Sequence, residues 1–256
     1  AEIDKNVKTT VPVWGDCKET LPLLTQLIDK KSHTEWLNKF GEFAAKENEV
    51  VIKNELNPTT DEMTMGEVIK LLNELTKGDA IIVTDVGQHQ MITNRYYRFK
   101  KHNSIVTSGG AGTMGFALPA AFGAKVAVPD REVVAVIGDG GFQMTLQELG
   151  TITQSGLPVK IIILNNNFLG MVRQWQSMFF DNRYSFVELQ NPDFITIAKG
   201  FGIDGHTVSD RNNLGESIDT LLNSKKPYLL EIICEKEENV FPMVPAGACV
   251  TKVMLE

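Results

Sequence analysis

The residues best suited to chemistry are one acid set among glycines and a pair of carboxamides beyond it. Asp139 stands in Gly138-Asp139-Gly140-Gly141, and Asn165-Asn166-Asn167 follows, with 24 residues between Gly140 and Asn165. A carboxylate and a neutral amide oxygen are hard ligands, suited to Mg²⁺ or Ca²⁺. The glycines let the backbone come close to an anion, whose charge the N–H groups of a following helix start would meet. No GxxxxGK[ST] is present, nor a GxGxxG after a first strand, which argues against a P-loop NTPase and a dinucleotide fingerprint. Without a lysine to neutralise phosphate, a divalent cation must do so. The pattern therefore points to a metal–diphosphate site. Asp139 anchors the metal, Asn166 adds a neutral oxygen, and a main-chain carbonyl just beyond completes the protein's share. The plainer alternative for Asp139 is a carboxylate capping the next helix.

These residues need strands to hold them. Two β-branched runs, 133–137 and 159–164, end abruptly at the glycines and the asparagines, and the segment between them has the length of one helix. That is a βαβ crossover, which sets the two strand ends side by side on the edge where α/β folds bind ligands. A third strand over 80–84 stops at Asp85-Val86-Gly87-Gln88-His89, and a fourth over 104–107 runs into Ser108-Gly109-Gly110-Ala111-Gly112-Thr113. Further strands are expected over 205–208 and 228–234, and a possible short one over 9–13. Helical spacing marks 18–29, a stretch around Trp36, Phe40 and Phe43, a helix from the Thr64 cap to Gly78 with Glu67 in the capping-box position, and a stretch following His89 to about 99. An apolar helix is expected from Met114 to about 128, one begun by Asn191-Pro192 and ending near Gly200, and one over 214–222. No internal repeat is visible. The tally is α/β: a doubly wound, mostly parallel six-stranded sheet with helices on both faces. By this reading 31–60 is a linker with a helix in it, 61–235 is the binding domain, and the breaker-rich apolar tail over 236–256 packs over the site.

Composition narrows the partners. A net charge of −7 with no basic cluster argues against nucleic acid and anionic membranes. Three scattered cysteines, Cys17, Cys234 and Cys249, suit neither a disulfide framework nor a zinc site. No apolar run reaches the ~18–20 residues of a membrane span. The charged start, Ala1-Glu2-Ile3-Asp4-Lys5, does not read as a signal peptide and lacks an initiator Met, so a cytoplasmic fragment is expected.

The spacing of Gly-Asp-Gly and Asn-Asn resembles the thiamine diphosphate signature of the decarboxylase and carboligase superfamily. Within it, GDGGFQMTLQELGT, GLPVKIIILNNNFLGMVRQWQ, SGGAGTMGFALPAAFGAK, VGQHQM and PMVPAGA resemble the catalytic subunits of acetohydroxyacid (acetolactate) synthases. The resemblance covers the chain, most weakly over 31–60, and implies the C-terminal two-fifths of such a subunit, with 1–30 the tail end of a central domain. It implies Asp139, Asn166 and the main-chain oxygen of Phe168 as Mg²⁺ ligands. Val86, Gly87, Gln88 and His89 would bind the diphosphate, with Gly138, Gly140, Gly141, Leu169 and Gly170. The Gly112 carbonyl would bond the aminopyrimidine, and Met114 would bend the cofactor. Met144, Met171 and Val172 would line the thiazolium side, and Trp175 would shape the pocket for a second 2-ketoacid. Met144, Met171, Val172 and Trp175 can equally be read as ordinary core, and His89 as a helix-start residue.

The implied reaction decarboxylates pyruvate and joins the two-carbon unit to pyruvate or 2-ketobutyrate, in branched-chain amino acid biosynthesis. The glutamate that activates the cofactor would come from an N-terminal domain of a partner subunit. No catalytic residue is therefore assigned here, and the isolated chain is expected to be inactive. FAD would bind mostly outside this chain; a homodimer or tetramer and a small regulatory subunit are the implied partners. Two departures stand out: Gly141 where a serine or alanine is usual, giving a freer turn, and Asn167-Phe168 where acids are common. The alternatives are a related carboligase or decarboxylase (catabolic acetolactate synthase, pyruvate oxidase, glyoxylate carboligase), a non-catalytic diphosphate-binding module, or a flavodoxin-like domain.

Overall fold

In the computed structural model, which describes residues 2–256, the chain divides into two units, Ala1–Ala45 and Lys46–Glu256. The first unit holds α1 (Cys17–Gln26) and most of α2 (Thr34–Glu47). Asp16 caps α1 by accepting from the Lys18 amide at 2.8 Å. The helix stops short of the expected 29 because the Leu27 N–H turns back to Leu24 O, tightening the last turn. The strand expected over 9–13 does not form. Pro12 removes a ladder donor there, and no described strand runs alongside. None of residues 2–45 is buried, so Leu21, Leu24 and Leu27 of α1 and Trp36, Phe40 and Phe43 of α2 keep exposed apolar faces.

The second unit opens with an almost unbroken helical run, α2 passing through a π-turn (Asn48–Ile52) into α3 (Lys53–Leu56), where the sequence reads as a linker. Helix α4 (Met65–Thr76) starts on Thr64, whose Oγ1 accepts from the Glu67 amide at 3.2 Å. Only half of the capping box is made, because the Glu67 carboxylate accepts from Arg211 Nε at 2.8 Å. Lys77 and Gly78, both left-handed, end the helix.

Six strands follow in alternation with helices. They are β1 (Ile81–Thr84), β2 (Ile105–Thr107), β3 (Val133–Gly138), β4 (Lys160–Asn165), β5 (Asp204–Val208) and β6 (Tyr228–Ile233). Every pairing is parallel, in the order β2-β1-β3-β4-β6-β5. Between them lie α5 (Gln88–Tyr96), α6 (Ala117–Ala127), α7 (Asp139–Thr145), α8 (Leu149–Ser155), α9 (Gly170–Phe179), α10 (Phe194–Gly200) and α11 (Leu214–Asn223). Alternate strand residues feed two cores, because successive side chains leave a strand on opposite faces. Ile82, Val134, Val136, Ile162, Leu164, Leu230 and Ile232 pack with α4, α5 and α11. Ile81, Val133, Ala135, Ile137, Ile161, Ile163 and Leu229 pack with α6, α7, α8 and α10. The sheet is thus doubly wound and buried on both faces, as continuous apolar strands require.

Two helix starts differ from their sequence reading. Helix α6 begins at Ala117 and leaves Met114 in the loop, because Gly115 takes a left-handed φ of 82° that no helix accommodates. Asp193, and not Asn191, caps α10, accepting from the Thr196 amide at 2.8 Å. Among the described residues, no helix is long and apolar enough to cross a membrane.

Candidate functional site

From β1 the chain steps to β2 on one side, and from β3 it steps to β4 on the other. The strand order therefore reverses between β1 and β3, and the carboxyl ends of these strands frame the crevice that α/β sheets use for ligands. A cavity of about 230 Å³ lies there. Four segments line it: 86–89 after β1, Gly112 and Met114 after β2, 138–141 at the end of β3, and Asn166 with 168–172 after β4. Of the residues singled out from the sequence, only Met144 and Trp175 do not line it. Met144 is 55% and Trp175 40% exposed, and Trp175 packs on Phe179 with ring centroids 5.1 Å apart. Met65 and Leu164 line the cavity unannounced. Their apolar types and periodic positions had marked them only as helix face and strand.

Asp139 opens α7 directly from β3 and is 2% exposed. Burial pushes its carboxyl above the usual carboxylate range, and the Asn191 amide, donating to Oδ2 at 2.7 Å, opposes that shift. Asn166 is also buried; its Oδ1 accepts from the Phe168 amide at 3.2 Å and its Nδ2 donates to Gln88 Oε1 at 3.2 Å. Asn165 points elsewhere, donating to Glu231 Oε1 at 2.7 Å. Phe168 faces Glu188 in a one-residue antiparallel bridge. The bonds of that bridge run through Leu169 N to Val187 O and Leu189 N to Asn167 O, both 2.8 Å. Phe168 is the non-hydrogen-bonded position, and its carbonyl takes no part in the pairing.

Asp85 and His89 form a buried pair through Oδ1 and Nε2. The second Asp85 oxygen accepts from the Gly115 amide at 2.8 Å, tying the loop after β2 to the end of β1. Glycines make room for this pair. A Cβ on Gly138 would lie 2.8 Å from His89 Nδ1, and one on Gly141 would collide with Asp85 Oδ2. Gly141 has no left-handed φ. It serves close packing, and the freer turn expected of it is not what the structure uses.

Three helices, α5, α7 and α9, start at this cavity on Gly87, Gly138 and Leu169, none of which supplies a side-chain cap. Their N–H groups and the positive ends of their dipoles face one space. No Lys or Arg lines it. Among the described residues, no cluster of three or more His, Cys, Asp or Glu side chains could hold a metal, so a cation here would need a mixed set of carboxylate, amide and main-chain oxygens. The tail is tied to α5 and α9 without lining the cavity: Gln88 Nε2 donates to Glu238 O at 2.8 Å, and Gln174 pairs both ways with Val240, at 2.9 and 3.0 Å.

The sequence matches known proteins of one family. Residues 85–232 match the family described as thiamine pyrophosphate enzyme, C-terminal TPP binding domain. The chain is 40% identical over 249 residues to the acetolactate synthase large subunit of Lactococcus lactis subsp. lactis (strain IL1403), covering 96% of this chain and 42% of that protein. It is 39% identical over 249 residues to the acetolactate synthase isozyme 2 large subunit of Escherichia coli (strain K12), covering 97% and 44%. To the chloroplastic acetolactate synthase of Arabidopsis thaliana it is 40% identical over 270 residues, covering 100% and 40%. The chain spans about two-fifths of the length of these relatives. It belongs to the thiamine pyrophosphate enzymes and carries their C-terminal TPP binding domain.

Proposed function

We propose that the cavity binds thiamine diphosphate (thiamine pyrophosphate) together with Mg²⁺, and that the chain forms this part of an acetolactate synthase. Such an enzyme joins the two-carbon unit of pyruvate to a second 2-ketoacid, pyruvate or 2-ketobutyrate. One observation carries the reading: three helix N-termini without side-chain caps and a hard oxygen donor set meet at a cavity with no Lys or Arg. That arrangement favours an anion escorted by a divalent cation over an anion alone. Thiamine diphosphate, when bound, supplies the chemistry of decarboxylation and carboligation.

The chain's own residues bind and orient. Asp139, the Asn166 side-chain oxygen and the Phe168 carbonyl would hold Mg²⁺. The N–H groups after Gly87, Gly138 and Leu169 would bind the diphosphate, with His89 lining the same cavity, its ring packed beside Gly138. Gly112 and Met114 would position the organic part of the cofactor, and Met171 and Val172 its other flank. Trp175 and Met144, at the exposed rim, would meet substrate only once a further wall covers them. A cavity of about 230 Å³ is smaller than the roughly 300–1,000 Å³ of most small-molecule sites, which supports a site completed by other parts of an assembled enzyme. Under this reading the isolated chain makes no acetolactate, and FAD and partner subunits bind elsewhere on the full assembly.

Calorimetric titration of thiamine diphosphate, with and without Mg²⁺, tests the proposal on the chain and on Asp139→Asn. Binding that needs Mg²⁺ and falls at least tenfold in the variant is expected. Equal binding in both proteins would refute the metal assignment, and preferential binding of FMN would refute the cofactor.

A further inference from the structure

We propose that Asn191 is a positioning residue of the metal site, holding the Asp139 carboxylate in the orientation that a cation requires. The inference rests on the reading of Asp139 as a metal ligand. Asn191 lies outside the cavity, 52 residues along the chain from Asp139, in the turn before α10. Its Nδ2 lies 2.7 Å from Asp139 Oδ2, 3.0 Å from Asn165 Oδ1 and 3.1 Å from Asn167 Oδ1. An amide has two hydrogens for these three acceptors, so one is shared, and the carboxylate is the nearest of the three. Gln143 Nε2 donates to Asn191 Oδ1 at 2.8 Å, which fixes the amide so that its nitrogen and not its oxygen meets Asp139.

Asp139 has two carboxylate oxygens and one task. The bond to Oδ2 fixes one of them from outside the cavity that Asp139 itself lines. The amide itself is anchored through a polar chain reaching across the sheet. Asn165 Nδ2 donates to Glu231 Oε1 and Thr207 Oγ1 donates to Glu231 Oε2, both at 2.7 Å. Asn165 Oδ1 also accepts from the Asn167 amide at 2.9 Å. The first asparagine of the pair thus belongs to the support of the ligand, and the second faces the cavity.

The test uses the 256-residue chain with excess thiamine diphosphate and Mn²⁺ as probe. Half-saturation is read from the loss of free-ion Mn²⁺ paramagnetic resonance signal. Asn191→Leu, similar in size but without a donor, is expected to raise the Mn²⁺ half-saturation about 10–100-fold, with an unchanged circular dichroism spectrum. Gln143→Leu removes only the bond that orients the amide and is expected to move half-saturation the same way by less. It decides the matter if Asn191→Leu does not fold. A purely structural role would lower the melting temperature and leave half-saturation in the folded protein untouched, and that result would overturn the proposal. If wild type binds Mn²⁺ and Asp139→Asn does not, while both supporting variants bind like wild type, the inference fails and the metal reading stands. Wild type that binds no Mn²⁺ overturns both.

Discussion

Glu238 is an acid among acids that the fold has taken out of water. It sits in Glu235-Lys236-Glu237-Glu238-Asn239, and nothing in that charged run distinguishes it from its solvated neighbours. In the structure its Oε2 accepts from the Met65 amide at 3.0 Å, while Oε1 is buried without a partner. Burial, reinforced by Glu55, Glu235 and Glu67, pushes its pKa up to about 8 from 4.5. The native state therefore keeps a proton that the unfolded chain has lost between pH 4.5 and 8. Over that window the Glu238 contribution to native stability falls as pH rises; it is fully present below 4.5 and lost above 8. Glu238→Gln should abolish this slope. Urea unfolding should give nearly the wild-type free energy at pH 5, and at pH 8.5 one higher by on the order of a few kcal/mol, with the m-value unchanged. Identical pH profiles would show that the acid is solvated. By contrast the place of Asp139 and Asn166 at the cavity was legible, because each stands where an apolar strand run breaks into polar residues. Asn191 was not: Asn before Pro is a common helix entry, and only the fold reveals what its amide faces.

At the scale of elements, β1, β3, β4 and β6 could be read because each is an apolar run buried on both faces, so pattern and environment coincide; the edge strands β2 and β5 are partly exposed and gave a weaker signal. Helix starts were harder, because a single residue decides them: the left-handed Gly115 delays α6, and Asp193 takes the cap of α10. The junction between α3 and α4 offers a test of such local control. Gly66 lies in the first turn of α4, and a Cβ there would stand 2.6 Å from the Glu55 main-chain oxygen. Helix propensity alone would make Gly66→Ala favourable by about 1 kcal/mol. The clash is with backbone and cannot be relieved by a rotamer, so it should win, with a net loss of about 1–3 kcal/mol. Gly215 in α11 is the control: its nearest neighbour would be the Leu71 methyl at 4.0 Å. Gly215→Ala should stabilise by about 0.4–1 kcal/mol. Urea midpoints that move in the same direction for both variants would refute the packing argument.

For the whole molecule, every buried apolar residue lies between Val51 and Val240 among the described residues. A chain of residues 46–256 should accordingly keep the thermal transition of the parent within about 2–4 °C, the equivalent of about 1 kcal/mol. A larger drop would mean that residues 1–45 contribute to the core. Sequence periodicity gave the number of strands and their common direction but could not give their order, since any apolar strand buries equally well beside any other. That order has a consequence in time. β6 lies between β4 and β5 although it is the last strand made. On the ribosome β4 emerges complete at Asn165, yet the neighbour on its open side begins only at Tyr228. At ~5–20 residues per second, that leaves Lys-Ile-Ile-Ile-Leu-Asn as an unpaired, apolar edge for several seconds. Such an edge is a template for pairing with other nascent chains. Soluble yield should therefore depend more on chaperone supply and growth temperature than on the stability of the finished domain.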